Sequence, residues 1–265
     1  MKKKLLAMAM TGIAVYTFTG EASAEQPVAA EYRQIFQAAE FFVEYSDDYY
    51  TRVIAQKDGK RYTRQNYRSN GWGGLFGGGG SNNKFPDAMY ADGKYYQFTA
   101  KNKAFVCAKS NLTNENLDPR QGWNTVEQKL ALPFELMVFY WNDPFRDKTM
   151  DITEPTATWS GKKTVDKTEY ECDRYASRLY NASSGEAWYV YELLYEKGNL
   201  KRIYSYVKKG EREYPINKLE IKKIGSKWPE NLFKIESDTK IYAAGTGDMN
   251  DLLEQPVEVG AMEAL

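Results

Sequence analysis

Between positions 130 and 141 the chain reads Leu-Ala-Leu-Pro-Phe-Glu-Leu-Met-Val-Phe-Tyr-Trp, its most apolar run outside the N-terminus, with Glu135 as the only charge. On a helical wheel, Val126, Leu130, Pro133, Phe134, Met137, Val138 and Trp141 share one face, and Leu132, Leu136, Phe139 and Tyr140 form a second stripe. A helix that is apolar nearly all round has to be buried. This run is too short to span a bilayer, which takes about 20 residues. Asn124 with Glu127 three residues on is a capping signature for a helix start, and Asn142, Asp143 and Pro144 form a stop. These signals predict a helical insertion at about 124–142. Pro133 either kinks it or begins a second helix in the first-turn position, where a missing N–H costs little. Whatever else the chain forms has to cover this segment.

The sequence on either side is strand-like. Tyr32, Ile35, Phe36 and Ala39 recur at helical spacing and predict a short N-terminal helix. From Phe41 the period changes to two, with strands expected over 41–46, 49–57 and 60–67, broken by Asp47 and Asp48 and by a hairpin signal at Asp58 and Gly59. Strand signals resume at 88–91, turn at Asp92 and Gly93, and continue over 94–99 and 104–108, before a polar connector at 109–122. After an irregular stretch at 145–162, strands are expected over 168–176, 186–195, 200–208 and 213–223, with turns at 181–185, at Lys197 and Gly198, and at Lys209 and Gly210. Tyr170, Cys172 and Ala176 oppose Glu169, Glu171 and Asp173 across a half-buried strand. The next two strands are apolar or aromatic on both faces: Trp188 and Val190 against Tyr189 and Tyr191, then Tyr204 and Tyr206 against Ile203 and Val207. Such strands need packing on each side of their sheet. A helix on one face and a ligand or second helix on the other would supply it. A further short helix is expected from Asp248 to Leu253, ended by Pro256.

Residues 69–84 are rich in glycine around Trp72, Leu75 and Phe76. Consecutive glycines are entropically costly to order, so this reads as a flexible loop. It lacks the Gly-Lys-Ser/Thr ending of a phosphate-cradling loop. Its three apolar residues suit a flap over a pocket or a membrane-touching tip. The plainer alternative is a surface loop whose apolar residues tuck onto the domain.

The chain opens with Lys2, Lys3 and Lys4, a short apolar run, and Ala22, Ser23 and Ala24, the pattern of a secretory signal peptide over 1–24 cleaved after Ala24. An uncleaved anchor is the alternative. Cleavage predicts an exported protein, in a periplasm or outside the cell, with no stable membrane insertion. Cleavage would remove three lysines and one glutamate from 36 basic and 36 acidic residues, leaving a slightly acidic chain. There is then no electrostatic case for nucleic acid as a partner. Residues 25–265 are long enough for one β-rich domain with its own core.

The chain has no histidine. That excludes Ser-His-Asp and Cys-His nucleophilic machinery, histidine metal sites and histidine general-base catalysis. Cys107 and Cys172 are the only cysteines and make a poor zinc site on their own. In an oxidising compartment a disulfide between them is the expected pairing, with two buried thiols as the alternative. Asn111 and Asn181 fall in glycosylation sequons, accidental ones if the protein is bacterial. Acidic residues are too numerous for any catalytic pair to stand out, although carboxylate-pair chemistry stays open in principle.

Phe41–Tyr45 after a short helix, Glu169–Tyr175 in mid-chain and a closing Pro229-x-x-x-Phe233-x-Ile235 segment resemble the bacterial lipoprotein-carrier family and its relatives. The resemblance spans most of the chain after the leader, as an order of elements. It implies an incompletely closed antiparallel β-barrel with helices over its concave face. The Gly-rich loop and the connector at 109–122 look like additions to the family pattern. No single position can be assigned to the arginine that gates the ligand in that family.

The function expected is therefore a non-catalytic exported protein that holds an apolar small molecule, a lipid or the acyl chains of a lipoprotein under a helical lid, without a cofactor. Candidate wall residues are Phe134, Leu136, Met137, Phe139, Tyr140 and Trp141 on the lid and Trp188 and Tyr204 on the sheet, with Trp72, Leu75 and Phe76 as a flap. Burying hydrocarbon against such a wall yields about 25 cal/mol per Å2. Equally, these residues could be ordinary core with the helix as a plug. A second reading is a cell-envelope structural or interaction module for protein or glycan, since the 21 tyrosines offer amphipathic contact area. A carboxylate-dependent hydrolase is the third.

Overall fold

The structure is a computed structural model that describes residues 27–67, 86–100, 102–109, 123–146, 151–180, 185–227 and 232–243. The leader, the glycine-rich loop with Trp72, Leu75 and Phe76, both sequon asparagines, Pro229 and the C-terminal segment around Asp248 lie outside the described residues.

Alternating sequence and tight turns produce strands β1 (Phe41–Ser46), β2 (Tyr50–Lys57), β3 (Lys60–Tyr67), β4 (Ala88–Ala91), β5 (Lys94–Ala100) and β6 (Lys103–Ala108). A second set follows: β7 (Thr156–Val165), β8 (Thr168–Leu179), β9 (Ala187–Glu196), β10 (Asn199–Lys209), β11 (Arg212–Gly225) and β12 (Lys240–Ala243). Helix α1 spans Pro27–Gln37 and α2 spans Trp123–Leu130. The hairpins at Asp58-Gly59, Asp92-Gly93 and Lys197-Gly198 place both central residues at positive φ, the backbone that matches strand twist.

The strands form one mainly antiparallel, unclosed sheet in the order β12-β6-β5-β4-β3-β2-β1-β11-β10-β9-β8-β7. Two meanders, β1–β6 and β7–β11, join where β1 pairs with β11, Tyr45 lying opposite Ile221. β12 adds to β6 in parallel.

Cross-strand partners define the faces. Val43 lies opposite Ile54, Ile54 opposite Thr63 and Thr63 opposite Ala88, while Ile203 lies opposite both Leu219 and Leu193. This face carries the helices. Ala29, Tyr32 and Phe36 of α1 and Leu132, Leu136, Val138 and Phe139 pack on β1 and β8–β11. Val126 and Leu130 of α2 pack with Phe145 on Ala88, Tyr95 and Cys107. On the opposite face, Leu232, Phe233 and Ile235 cover the first meander.

Four expectations need correction. The apolar run is not one helix: α2 stops at Leu130, and a single 3-10 turn, Phe134–Leu136, follows with Pro133 at its cap. Proline cannot donate a helical bond, and it pushes the residue before it out of the helical region. The Leu132 N–H donates instead to Asp143 Oδ2 at 2.8 Å. The stretch read as irregular at 145–162 contains the start of β7, whose turn to β8 uses Asp166 and Lys167 at positive φ with no glycine to announce it. No disulfide forms: both cysteines are buried free thiols. Cys107 on β6 faces the α2 cluster, whereas Cys172 on β8 sits with Tyr170 and Leu194 on the other face, with eight strands between them in the sheet order. Finally, β8–β10 carry no helix on their second face among the described residues. Their own aromatic side chains and an ion cluster cover it.

Candidate functional site

The segment 123–146 lies across the helix-bearing face and is anchored at two places. The first anchor starts from a hairpin. The turn at Asp58-Gly59 sets Gln56 directly opposite Arg61, and Gln56 Oε1 accepts from Arg61 Nη2 at 2.6 Å and from Nε at 3.2 Å. Arg61 Nη1 then donates to the Leu130 carbonyl at 3.2 Å, the C-terminal end of α2, and to Asp143 Oδ1 at 2.5 Å. Positive charge at a helix C-terminus is favourable. The Arg61 and Asp143 side chains are 1% and 0% exposed, and Phe145, Phe41 and Tyr140 rings surround the guanidinium at 4.7, 5.5 and 5.9 Å. Burial pulls the Arg61 pKa down, and the Asp143 carboxylate opposes that pull. An arginine keeps its charge even so.

The second anchor is Glu135. Its Oε1 accepts from Ser205 Oγ at 2.9 Å and from the Tyr189 hydroxyl at 3.2 Å, joining the 3-10 turn to β9 and β10. Burial, then the nearby Glu135 charge, pushes the Tyr189 phenol well above its usual range. Around it, Phe139 stacks on Phe36 with centroids 5.4 Å apart, and Arg33 of α1 donates to the Val138 carbonyl at 3.3 Å.

Between these anchors the segment stands off the sheet and leaves a cavity of about 520 Å3. Its apolar wall is Ile54, Leu132, Pro133, Phe134 and Met137; its polar lining includes Arg52, Thr63, Gln65, Asp87, Gln128, Lys129 and Arg146. Small-ligand pockets occupy about 300–1,000 Å3. The exposed side chains of Gln128 and Lys129 mark its mouth.

The expected wall is only partly gathered here. Phe134 and Met137 line the cavity. Leu136 and Phe139 are core side chains, 0% and 2% exposed. Tyr140 packs toward Arg61, and Trp141 lies 4.0 Å under the Arg146 guanidinium. Trp188 and Tyr204 belong to the opposite face, because they alternate with Tyr189 and Ile203, which point into the helix-bearing core. Strand alternation puts the two on one face together, and only the tertiary contacts show that the segment covers the other.

In the sequence, Arg61, Arg52 and Arg146 have no evident role and Asp143 only that of a helix stop. The one available signal was the hairpin register. It pairs Gln56 with Arg61 on the same face as Ile54, so a buried polar pair was implied there. No group of three or more metal-ligating side chains occurs among the described residues. Enclosure and orientation of a ligand is the chemistry this arrangement suits. In comparisons with known proteins, no family model and no curated protein matches the chain.

Proposed function

We propose that this chain is an exported, non-catalytic binding protein that holds a lipid or other apolar ligand between its sheet and the 123–146 segment. In this reading the sheet is an incompletely closed barrel, with the helices over its concave face as a lid. The observation that carries it is the cavity of about 520 Å3 beside an otherwise well-packed core, walled by Ile54, Leu132, Phe134 and Met137. The cavity opens to solvent beside Gln128 and Lys129, and clefts of this volume suit small ligands. Transfer of lipid or lipoprotein acyl chains between envelope partners would suit such a site, and release would require the Arg61 bonds to Leu130 and Asp143 to break.

The test is extraction of the purified protein with organic solvent and mass spectrometry of the extract, alongside titration with an apolar fluorescent dye. Co-purifying lipid and saturable dye binding that Met137→Trp reduces are the expected results. No lipid and no saturable binding would sink the proposal.

One observation favours a second reading, an envelope interaction module for protein or glycan. Trp159, Trp188, Tyr206, Arg174 and Lys208 line a shallow groove of about 340 Å3 on the opposite face, with Trp188 37% exposed. Aromatic faces beside cations suit such contacts. Loss of envelope association in Trp188→Ala, with lipid binding intact, would favour it.

A further inference from the structure

The cavity wall has a marked charge asymmetry. Arg52, Lys129 and Arg146 line it against a single carboxylate, Asp87. Asp87 is already engaged, its Oδ2 accepting the Gln65 backbone N–H at 2.5 Å. Burial raises its pKa, opposed by that bond and by Lys129, Arg64 and Arg52. Arg52 reaches Asp47 Oδ2 at 3.8 Å through Nη2, yet its Nε is shut off from solvent with no hydrogen-bond acceptor. Arg146 lies flat over Trp141, and its Nη1 is likewise buried without an acceptor. A guanidinium nitrogen removed from water wants an acceptor, and a carboxylate or phosphate oxygen is its strongest one. Both guanidinium-bearing residues line one cavity, whose apolar wall includes Ile54, Leu132, Phe134 and Met137. A purely apolar ligand would leave both guanidinium groups with no paired anion among the described residues other than Asp47, at 3.8 Å from Arg52.

We propose that the ligand is an amphiphile with an anionic head, of the fatty-acid or alkyl-phosphate class, whose charged end engages Arg52 and Arg146 while its chain lies along Leu132, Phe134 and Met137. This rests on the reading above that the cavity holds a ligand. Lys129 at the mouth draws the head group in, and the three cations together disfavour a cationic one.

The experiment is calorimetric titration of the purified protein with laurate, dodecyl phosphate, monolaurin and dodecyltrimethylammonium, and with inorganic phosphate alone. Laurate and dodecyl phosphate are expected to bind about tenfold tighter than uncharged monolaurin, with the cationic probe weakest and phosphate alone too weak to displace laurate. The double variant Arg52→Gln, Arg146→Gln should bring laurate down to the affinity of monolaurin, whose own binding stays unchanged. The pair Arg52→Lys, Arg146→Lys should keep a reduced preference. If laurate and monolaurin bind the unaltered protein equally, the head-group assignment is overturned while the apolar-ligand reading stands. If phosphate alone displaces laurate, the site takes a free anion and the amphiphile is overturned. If none of the chain-bearing probes binds, both readings fall. The series on the unaltered protein decides the matter even if the glutamine variant does not fold.

Discussion

On the β2–β6 side, the covering segment is pinned through Arg61 and Asp143, whose side chains are 1% and 0% exposed; on the β8–β11 side, Leu136 and Phe139 pack it against tyrosine-rich strands. The two anchorages respond differently to damage. A buried ion pair adds little net stability over an apolar replacement, because desolvation cancels most of the attraction, yet removing one partner strands the other charge. Apolar packing has no such threshold and loses stability roughly in proportion to the volume removed. The ionic side is thus suited to opening as a unit, and the packed side to staying in place.

The largest effect is expected where the ionic anchor is broken on one side only. Asp143→Ala leaves the Arg61 guanidinium buried and the Leu132 N–H without its acceptor. It should cost about 4 kcal/mol in urea unfolding. Replacing Arg61 and Asp143 together by leucines should recover most of that loss, and if it does not, the contrast between the two sides fails. Leu136→Ala on the packed side should cost about 3 kcal/mol, with no pH dependence. A loss of well under 1 kcal/mol there would show that the turn is not anchored by packing.

A smaller effect is expected on the opposite face, where Glu192 accepts from Arg174 at 2.7 Å and from Lys163. Burial pushes the Glu192 carboxyl up, but Lys163 and Arg174 together outweigh it and hold it below its usual value of 4.5. A lowered folded-state value means that the charge contributes stability above the unfolded-state value. That contribution fades as pH falls through the folded-state value. Because both cations are more than a third exposed, Glu192→Gln should cost only about 1 kcal/mol at neutral pH. The difference from the unaltered protein should vanish once the pH is well below 4.5. A loss as large as that of Asp143→Ala would mean that the half-wet cluster behaves like the dry one.

Much of the strand layout was legible in the chain. Hairpins at Asp58-Gly59, Asp92-Gly93 and Lys197-Gly198 were readable because each is closed by a residue pair whose backbone preference is local. The turn at Asp166 and Lys167 was not, since neither residue carries the glycine signal, and so β7 was missed. The site was less legible than the fold. Of the expected wall, Phe134 and Met137 line the cavity, Leu136 and Phe139 are core, and Trp188 and Tyr204 lie on the opposite face. Arg61 looked like any polar strand residue, because its burial depends on Asp143 and Leu130 arriving from elsewhere. The cysteines could not be paired or separated from their spacing. What keeps them apart is the order of strands in the sheet.

By itself the sequence determined most of the strands, most of their turns, and the fact that 130–141 has to be buried; periodicity, turn chemistry and a proline act within a few residues. The tertiary structure decided what buries that run and what lies between it and the sheet. Arg61 reaches Leu130 across 69 residues, Asp143 across 82, and Arg33 reaches Val138 across 105. Contacts at such separations leave no local period in the chain. They exist only once β1 has paired with β11 and the two meanders share one face, and that pairing turns a buried apolar run into a broken cover with a cavity beneath it.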